Sequence, residues 1–461
     1  MKKVEPPRIS LCPACHAGYG LNQGEMGHRT ICQKCGQKFY LLPSSYDSPT
    51  LADVPPDLQK ESWPLVGRLW LDLRPGQIIA RRYMIERVLG RGGISQVFQV
   101  KDLSRNIELA LKLPLATTLE RLPPHIFIEE AVAWLTPASH PNMVTCDHVM
   151  VFMKQPVIFM EYVPGTDLWH LLEDGSGEIY WIEPRDAGIR LLDIFIQVAR
   201  GLDYAHSLGL SHLDIKPRNI LVHEDGRVLI GDYGPLSQPD ILAKMNQKGQ
   251  PRPKPASGEA TNLPQSRLLG TPQYYSPEAA ANIPGAGVSS DLWALALTAL
   301  ECFIGHRPWE VGSMAGRALE GYLADKSIKI PISASLAVHF RRALTENQAL
   351  RQQNALEVEK ELVAIYEEES GRPYERKRPV PLEETADRMN NKAISWMEVG
   401  QPDKAMELWQ KILEREPEHK PSLHNKAMAE QWNNNHAPDL TRSVIPQWWL
   451  GRRLLPVSTN R

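Results

Sequence analysis

The chain has 461 residues, 42% of them apolar, and carries 52 Lys and Arg against 54 Asp and Glu, a formal net charge of −2. That length suggests about two to four domains. The balanced charge excludes a global field that would draw the chain to nucleic acid or an anionic membrane; nucleic acid is not indicated as a partner, and a local contact with it stays open. Met1 to Ser10 holds two lysines but no apolar core of a signal peptide. The longest apolar run, Leu292 to Ile304, is short for a membrane span and contains Glu301. The expectation is a cytoplasmic chain without a transmembrane segment. Six cysteines in such a length do not make a disulfide scaffold.

Four of those cysteines come first. Cys12 and Cys15, then Cys32 and Cys35, form C-x2-C-x16-C-x2-C, the spacing of a zinc site. Each C-x-x-C turn aims two thiolates at one point, and two turns complete a tetrahedral site closed to water, hence structural. So short a segment cannot bury a sufficient core, so the metal would supply the folding energy. A redox dithiol is the competing reading of either pair. Residues 9–42 resemble a zinc ribbon, which implies a structural Zn2+ and a surface for protein or nucleic acid. Residues 43–72 are proline-bearing and read as a linker.

From Leu73 the pattern changes. Tyr83 to Leu89 and Gln96 to Asp102 read as strands around Gly90, Gly92 and Gly93, with Ser95 and Val97 beyond the turn. Leu109-Ala110-Leu111-Lys112 is a further apolar strand ending in a lysine. A helical start at Phe127 carries Glu129 and Glu130; Glu130 is the expected partner of Lys112, because that register leaves Trp134 on the same face one turn on. Val157 to Val163 reads as a buried strand, and Leu191 to Leu208 as an amphipathic helix.

The stretch Ser211 to Asp232 carries the chemistry. It reads as a loop, a strand, an Asp225-Gly226 turn and a second strand. Asp214, Asn219 and Asp232 project from it, with Asp232 thirteen residues after Asn219. An Asp that accepts a hydroxyl proton, beside an Asn and an Asp that hold magnesium, is what phosphoryl transfer needs on one rigid support. His212-Leu213-Asp214 and Asp232-Tyr233-Gly234 resemble the catalytic loop and metal-binding motif of protein kinases.

That resemblance covers residues 73–366 and implies an α+β bilobal protein-kinase fold, a small β-rich lobe and a larger helical one with ATP between them. It makes Gly90, Gly92 and Gly93 the phosphate-covering loop, with Ser95 at a position usually held by glycine. It assigns Lys112, fixed by Glu130, to the ATP phosphates, and Val97, Ala110 and Leu221 to the adenine. Met160 guards the back of that pocket, Glu161 and Val163 present backbone groups to adenine, and Asp167 meets the ribose. Asp214 becomes the catalytic base, Lys216 the counter-charge of serine/threonine enzymes, and Asn219 and Asp232 the Mg2+ ligands. Asp291 ties down the catalytic loop, and Arg351, placed in a terminal helix, pairs with Glu278. Leu213 replaces the usual arginine. Ser237, Ser257, Thr261 and Ser266 are exposed hydroxyls of a proline-rich activation segment, and Thr271 works beside Asp214.

Residues 367–384 read as a second, charged linker. In 385–432, Ala393, Trp396, Gly400, Ala405, Trp409 and Pro417 match tetratricopeptide spacing, a helical hairpin that cannot bury its own face and so docks on the kinase or on a partner protein. Residues 433–461 are a tail. The reading is a serine/threonine kinase acting on protein substrates with ATP, Mg2+ and structural Zn2+; the alternative is a catalytically silent ATP-binding scaffold.

Overall fold

A computed structural model of the chain describes residues 9–11, 18–20, 29–31, 33–34, 38–40, 73–79, 82–92, 95–115, 124–152, 155–232, 271–281, 283 and 287–435. They divide into two compact units, one of Met1–Ala131, Cys146–Tyr162 and Thr385–Arg461, the other of Val132–Thr145 and Val163–Glu384.

In the first unit, β1 (Ile9–Leu11) pairs antiparallel with β2 (Gly18–Gly20), and β3 (Arg29–Ile31) with β4 (Lys38–Tyr40). An antiparallel six-stranded sheet follows, in the order β5-β6-β7-β8-β10-β9: β5 (Ile78–Ile79), β6 (Tyr83–Arg91), β7 (Ser95–Asp102), β8 (Ile107–Pro114), β9 (Cys146–Phe152) and β10 (Gln155–Glu161). Side chains alternate faces along each strand. One face gives Tyr83, Ile85, Phe98, Val100, Leu109, Leu111, Leu113, Val157 and Phe159 to a single buried cluster. The intervening residues Val97, Ala110, Lys112, Ile158 and Met160 therefore share the other face. The register sets Val97 and Ile158 opposite Lys112, and Met160 opposite Ala110. Helix α1 (Pro124–Leu135) supplies Glu130 to this unit.

The second unit is mainly helical. After β11 (Gly165–Asp167) come α2 (Leu168–Leu172) and α3 (Pro184–Ser207). The β12 (Ile220–His223) and β13 (Val228–Ile230) hairpin pairs with β11. Short α4 (Pro277–Ala280), then α5 (Gly287–Ile304), α6 (Ala334–Ala343) and α7 (Ala355–Ser370) follow, with two short helical turns at Gly312–Ala315 and Leu319–Leu323 between α5 and α6. Among the described residues α5 is the one helix long and apolar enough to cross a membrane, but 89% of it is buried inside the protein. Two of its buried polar side chains are paired there: Thr298 Oγ1 donates to the Ala294 carbonyl, and Glu301 accepts from the Tyr274 hydroxyl. Helix α7 continues past residue 366, and Arg351 precedes it in an extended conformation rather than lying within a helix.

The first unit closes with α8 (Ala386–Glu398), α9 (Pro402–Arg415) and α10 (Lys420–Asn435). Thr385 caps α8, and Gly400 makes the turn to α9 at φ +76°, a conformation glycine adopts without penalty. The buried Asn390 carboxamide oxygen holds all three helices, accepting from Trp409 Nε1 at 2.9 Å, Asn425 Nδ2 at 3.0 Å and Ser422 Oγ at 3.4 Å. Helix α8 also covers the edge strand β9. Val149 N–H donates to Ser395 Oγ at 2.9 Å and Val151 N–H to Glu398 Oε2 at 3.2 Å. Those backbone donors would otherwise be an open template for another strand.

Candidate active site

The residues singled out in the sequence fall into two constellations, one in each unit. On the site face of the sheet, Lys112 Nζ lies 2.6 Å from Glu130 Oε1, and both side chains are buried. A buried lysine of this kind is held by its carboxylate partner. Trp134, one turn beyond Glu130, is buried as its register requires. Gly92 N–H closes the glycine turn on the Ser95 carbonyl at 2.9 Å. A Cβ on Gly90 would meet no described atom within 4 Å, so the backbone there is open to approach. Gly93 lies outside the described residues. Ser95 is buried and lines, with Lys112, Glu130 and Phe127, a cavity of about 10 Å³, room for about one water. Glu161 ends β10 opposite Leu109.

The second constellation surrounds Asp214. Lys216 Nζ donates to Asp214 Oδ2 at 2.6 Å and to Thr271 Oγ1 at 2.8 Å, while Thr271 Oγ1 donates to Asp214 Oδ1 at 2.9 Å. Asn219 Nδ2 donates to the Asp214 backbone carbonyl at 2.8 Å and to Asp214 Oδ2 at 3.0 Å. The carboxylate is fixed from three sides. With its nitrogen so engaged, the Asn219 amide offers its oxygen elsewhere. Gly231 N–H donates to the Asn219 carbonyl at 2.9 Å, extending the β12–β13 ladder and bringing Asp232 beside Asn219. An amide oxygen and a carboxylate are the hard oxygen donors magnesium takes, so this pair fits that ion.

The loop is strained and tied down. Leu213 and Asp232 have φ of +58° and +60°, a region that non-glycine residues enter at a cost of about 1–3 kcal/mol and mainly at functional sites. Asp291, fully buried, accepts from the N–H groups of His212 at 2.7 Å and Leu213 at 2.6 Å and meets His206 Nε2 at 2.9 Å. His212 Nδ1 accepts from Asp214 N–H at 3.3 Å, so its Nε2 is the atom that donates to the Gly231 carbonyl at 2.8 Å. One ring thus joins the two ends of the motif. Asp167 caps α2, accepting from His170 N–H at 2.9 Å, and sits opposite Leu221 in the ladder; Val163 begins the longer stretch of the second unit. Burial and then the Asp214 charge push the Tyr275 hydroxyl up to about 12.

Sequence reading missed the supports behind the hairpin. Asn142 Nδ2 donates to the Val228 carbonyl at 2.9 Å, and Gln197 Oε1 accepts from Val228 N–H at 3.0 Å. Neither has a local signal, since each meets its partner only through tertiary folding. Cys12, Cys15, Cys32 and Cys35 lie outside the described residues, as do Ser237, Ser257, Thr261 and Ser266.

A probable serine/threonine-protein kinase PknB of Lactococcus lactis is 30% identical over 249 residues, covering 54% of this chain and 35% of that protein. A probable serine/threonine-protein kinase of Clostridium acetobutylicum is 28% identical over 295 residues, covering 62% of this chain and 40% of that protein. The matched region spans less than half the length of either relative. Among solved structures, the Mycobacterium tuberculosis PknI kinase domain is similar at 24% identity and a TM-score of 0.42, covering 63% of this chain and 98% of that one. The protein kinase domain family matches residues 83–433, most of the chain, and the chain belongs to that family.

Proposed function

We propose that the chain is a serine/threonine protein kinase that transfers the γ-phosphoryl group of ATP to protein hydroxyls. The observation that carries this is the Asp214 carboxylate, held by Lys216, Asn219 and Thr271 with every bond between 2.6 and 3.0 Å. The acceptor oxygen attacks the γ-phosphorus as the bridging bond to the β-phosphate breaks, ADP leaves, and the acceptor proton passes to Asp214. Lys216 offsets the negative charge around the transferred group, and its place two residues after Asp214 is the serine/threonine pattern. Lys112, pinned by Glu130, orients the ATP phosphates; Gly90, Gly92 and Gly93 let backbone N–H groups cover them. The resemblance assigns Val97, Ala110, Met160 and the backbone of Glu161 to adenine, and likewise Leu221 and the backbone of Val163, with Asp167 assigned to the ribose. Asn219 and Asp232 would hold Mg2+, which when bound neutralises phosphate charge.

Two flanking assignments belong to the same reading. The four cysteines fall in sequence between the strands of the two N-terminal hairpins, one pair per hairpin, which supports a structural zinc ribbon. Helices α8 and α9, with Trp396, Ala405 and Trp409 buried between them, support a tetratricopeptide-like pair that docks through β9. The function is tested by incubating the protein with γ-labelled ATP, Mg2+ and a serine- and threonine-rich protein. Label on serine or threonine is expected; no transfer, or label on tyrosine alone, overturns the assignment.

A further inference from the structure

Residues 372–382, which composition marks as a linker, are fastened along α3. Arg376 Nε donates to Asp193 Oδ1 at 2.9 Å, and its Nη2 donates to the Gly226 carbonyl at 3.2 Å. The Tyr374 hydroxyl donates to Asp193 Oδ1 at 2.7 Å. Arg200, buried in α3, donates back to the carbonyls of Arg376 at 3.0 Å and Lys377 at 3.2 Å. Farther along, Leu382 N–H donates to the Ser139 carbonyl at 2.7 Å.

Gly226 is the turn of the β12–β13 hairpin, at φ +83°. Its carbonyl also accepts from Gln197 Nε2 at 3.2 Å, and Gln197 Nε2 in turn donates to Asp193 Oδ2 at 3.1 Å. A Cβ on Gly226 would lie 3.1 Å from Arg376 Nη2, so the strap packs directly on the turn. The hairpin is a short, stiff lever. Its turn is at one end, and Asn219 and Asp232 are at the other, joined by the Gly231 to Asn219 bond. Small displacements at reacting groups cost rate steeply.

We propose that Arg376, with Tyr374 and Asp193, is a positioning element for phosphoryl transfer, holding the rear of the catalytic hairpin so that Asn219 and Asp232 stay in place. The inference rests on the phosphoryl-transfer reading above. An exposed Arg–Asp pair alone contributes little; here the same guanidinium also grips a backbone carbonyl of the lever.

The test compares full-length wild type with Arg376→Ala, Arg376→Lys and Tyr374→Phe in steady-state kinetics, thermal melting and hydrogen exchange of residues 226–230. Arg376→Ala should lower kcat by roughly 2- to 30-fold, the span for residues in a coupled packing network. KM for ATP and the melting temperature should stay near wild type, exchange in the hairpin should rise, and Arg376→Lys should recover part of kcat. Unchanged kcat in an active protein, with or without faster exchange, overturns the proposal, as does a loss matched by a fall in melting temperature in both Arg376→Ala and Tyr374→Phe. An inactive wild type is a different outcome: it refutes the phosphoryl-transfer reading itself, and the proposal with it.

Discussion

Arg351 grips Glu278 with both arms of its guanidinium, Nη1 to Oε1 at 2.6 Å and Nη2 to Oε2 at 3.1 Å, and neither side chain is exposed beyond 5%. The guanidinium also lies 4.6 Å from the ring centroid of the buried Trp293. Burial opposes ionisation of Glu278, but hydrogen bonds from Arg351 and Ser289 outweigh it and hold the carboxyl below its usual range. Removing one partner strands the other as a buried charge. Arg351→Ala should therefore cost about 3–5 kcal/mol in denaturant unfolding. A group with a lowered folded pKa stabilises above its unfolded value and loses that contribution as pH falls through the folded one. The stability gap between wild type and Glu278→Gln should be widest above pH 4.5 and close in acid. A gap independent of pH would contradict the pairing.

The cover over β9 makes a second prediction. Ser395→Ala leaves Val149 N–H without its acceptor, which costs about 1–3 kcal/mol. Truncation after Glu384 removes both Ser395 and Glu398 and leaves a bare sheet edge, so the shortened protein should self-associate in sedimentation. A monomer as stable as the full chain would show that α8 is dispensable.

Zinc is checked directly. Purified protein should carry one zinc per chain, lost in Cys12→Ser or Cys35→Ser, with local unfolding of the N-terminal hairpins. Metal-free protein by elemental analysis would contradict a zinc ribbon.

The parts legible in the sequence are those whose partners are close in the chain or set by strand and helix period. Asp214, Asn219 and Asp232 share one short stretch of chain, Ser211 to Asp232, and alternation on β8 separates Lys112 from the core face. Glu130 followed from helical register, and the structure puts it on Lys112. What stayed hidden depends on backbone groups and distant partners. Arg376 sits in a charged, proline-bearing stretch that looks unstructured until Asp193 and the Gly226 carbonyl are beside it. Ser395 and Glu398 read as ordinary helix residues, because strand N–H groups leave no mark in a sequence. Arg351 was expected inside a helix; the turn that ends at Leu350 leaves it extended, where its side chain reaches Glu278.

Leu213 bears on control. It stands beside Asp214 with its N–H on Asp291, and its side chain donates no hydrogen bond to a phosphate. Phosphorylation of the activation segment therefore gains little from this position. Replacing Ser237, Ser257, Thr261 and Ser266 together with alanine should leave the initial rate of phosphatase-treated protein nearly unchanged. A tenfold loss, about 1.4 kcal/mol of barrier, would show that phosphate on that segment governs activity.

In the proposed γ-phosphoryl transfer, Asp214 takes the acceptor proton. The most direct test of that role is the single-turnover rate with Mg-ATP for wild type and Asp214→Asn, with ATP affinity measured in parallel. The Asp214→Asn rate should be lower by about 100- to 10,000-fold, the span of general-base contributions, with ATP binding retained. Equal rates in the two proteins, or no transfer by the wild type, would contradict that role.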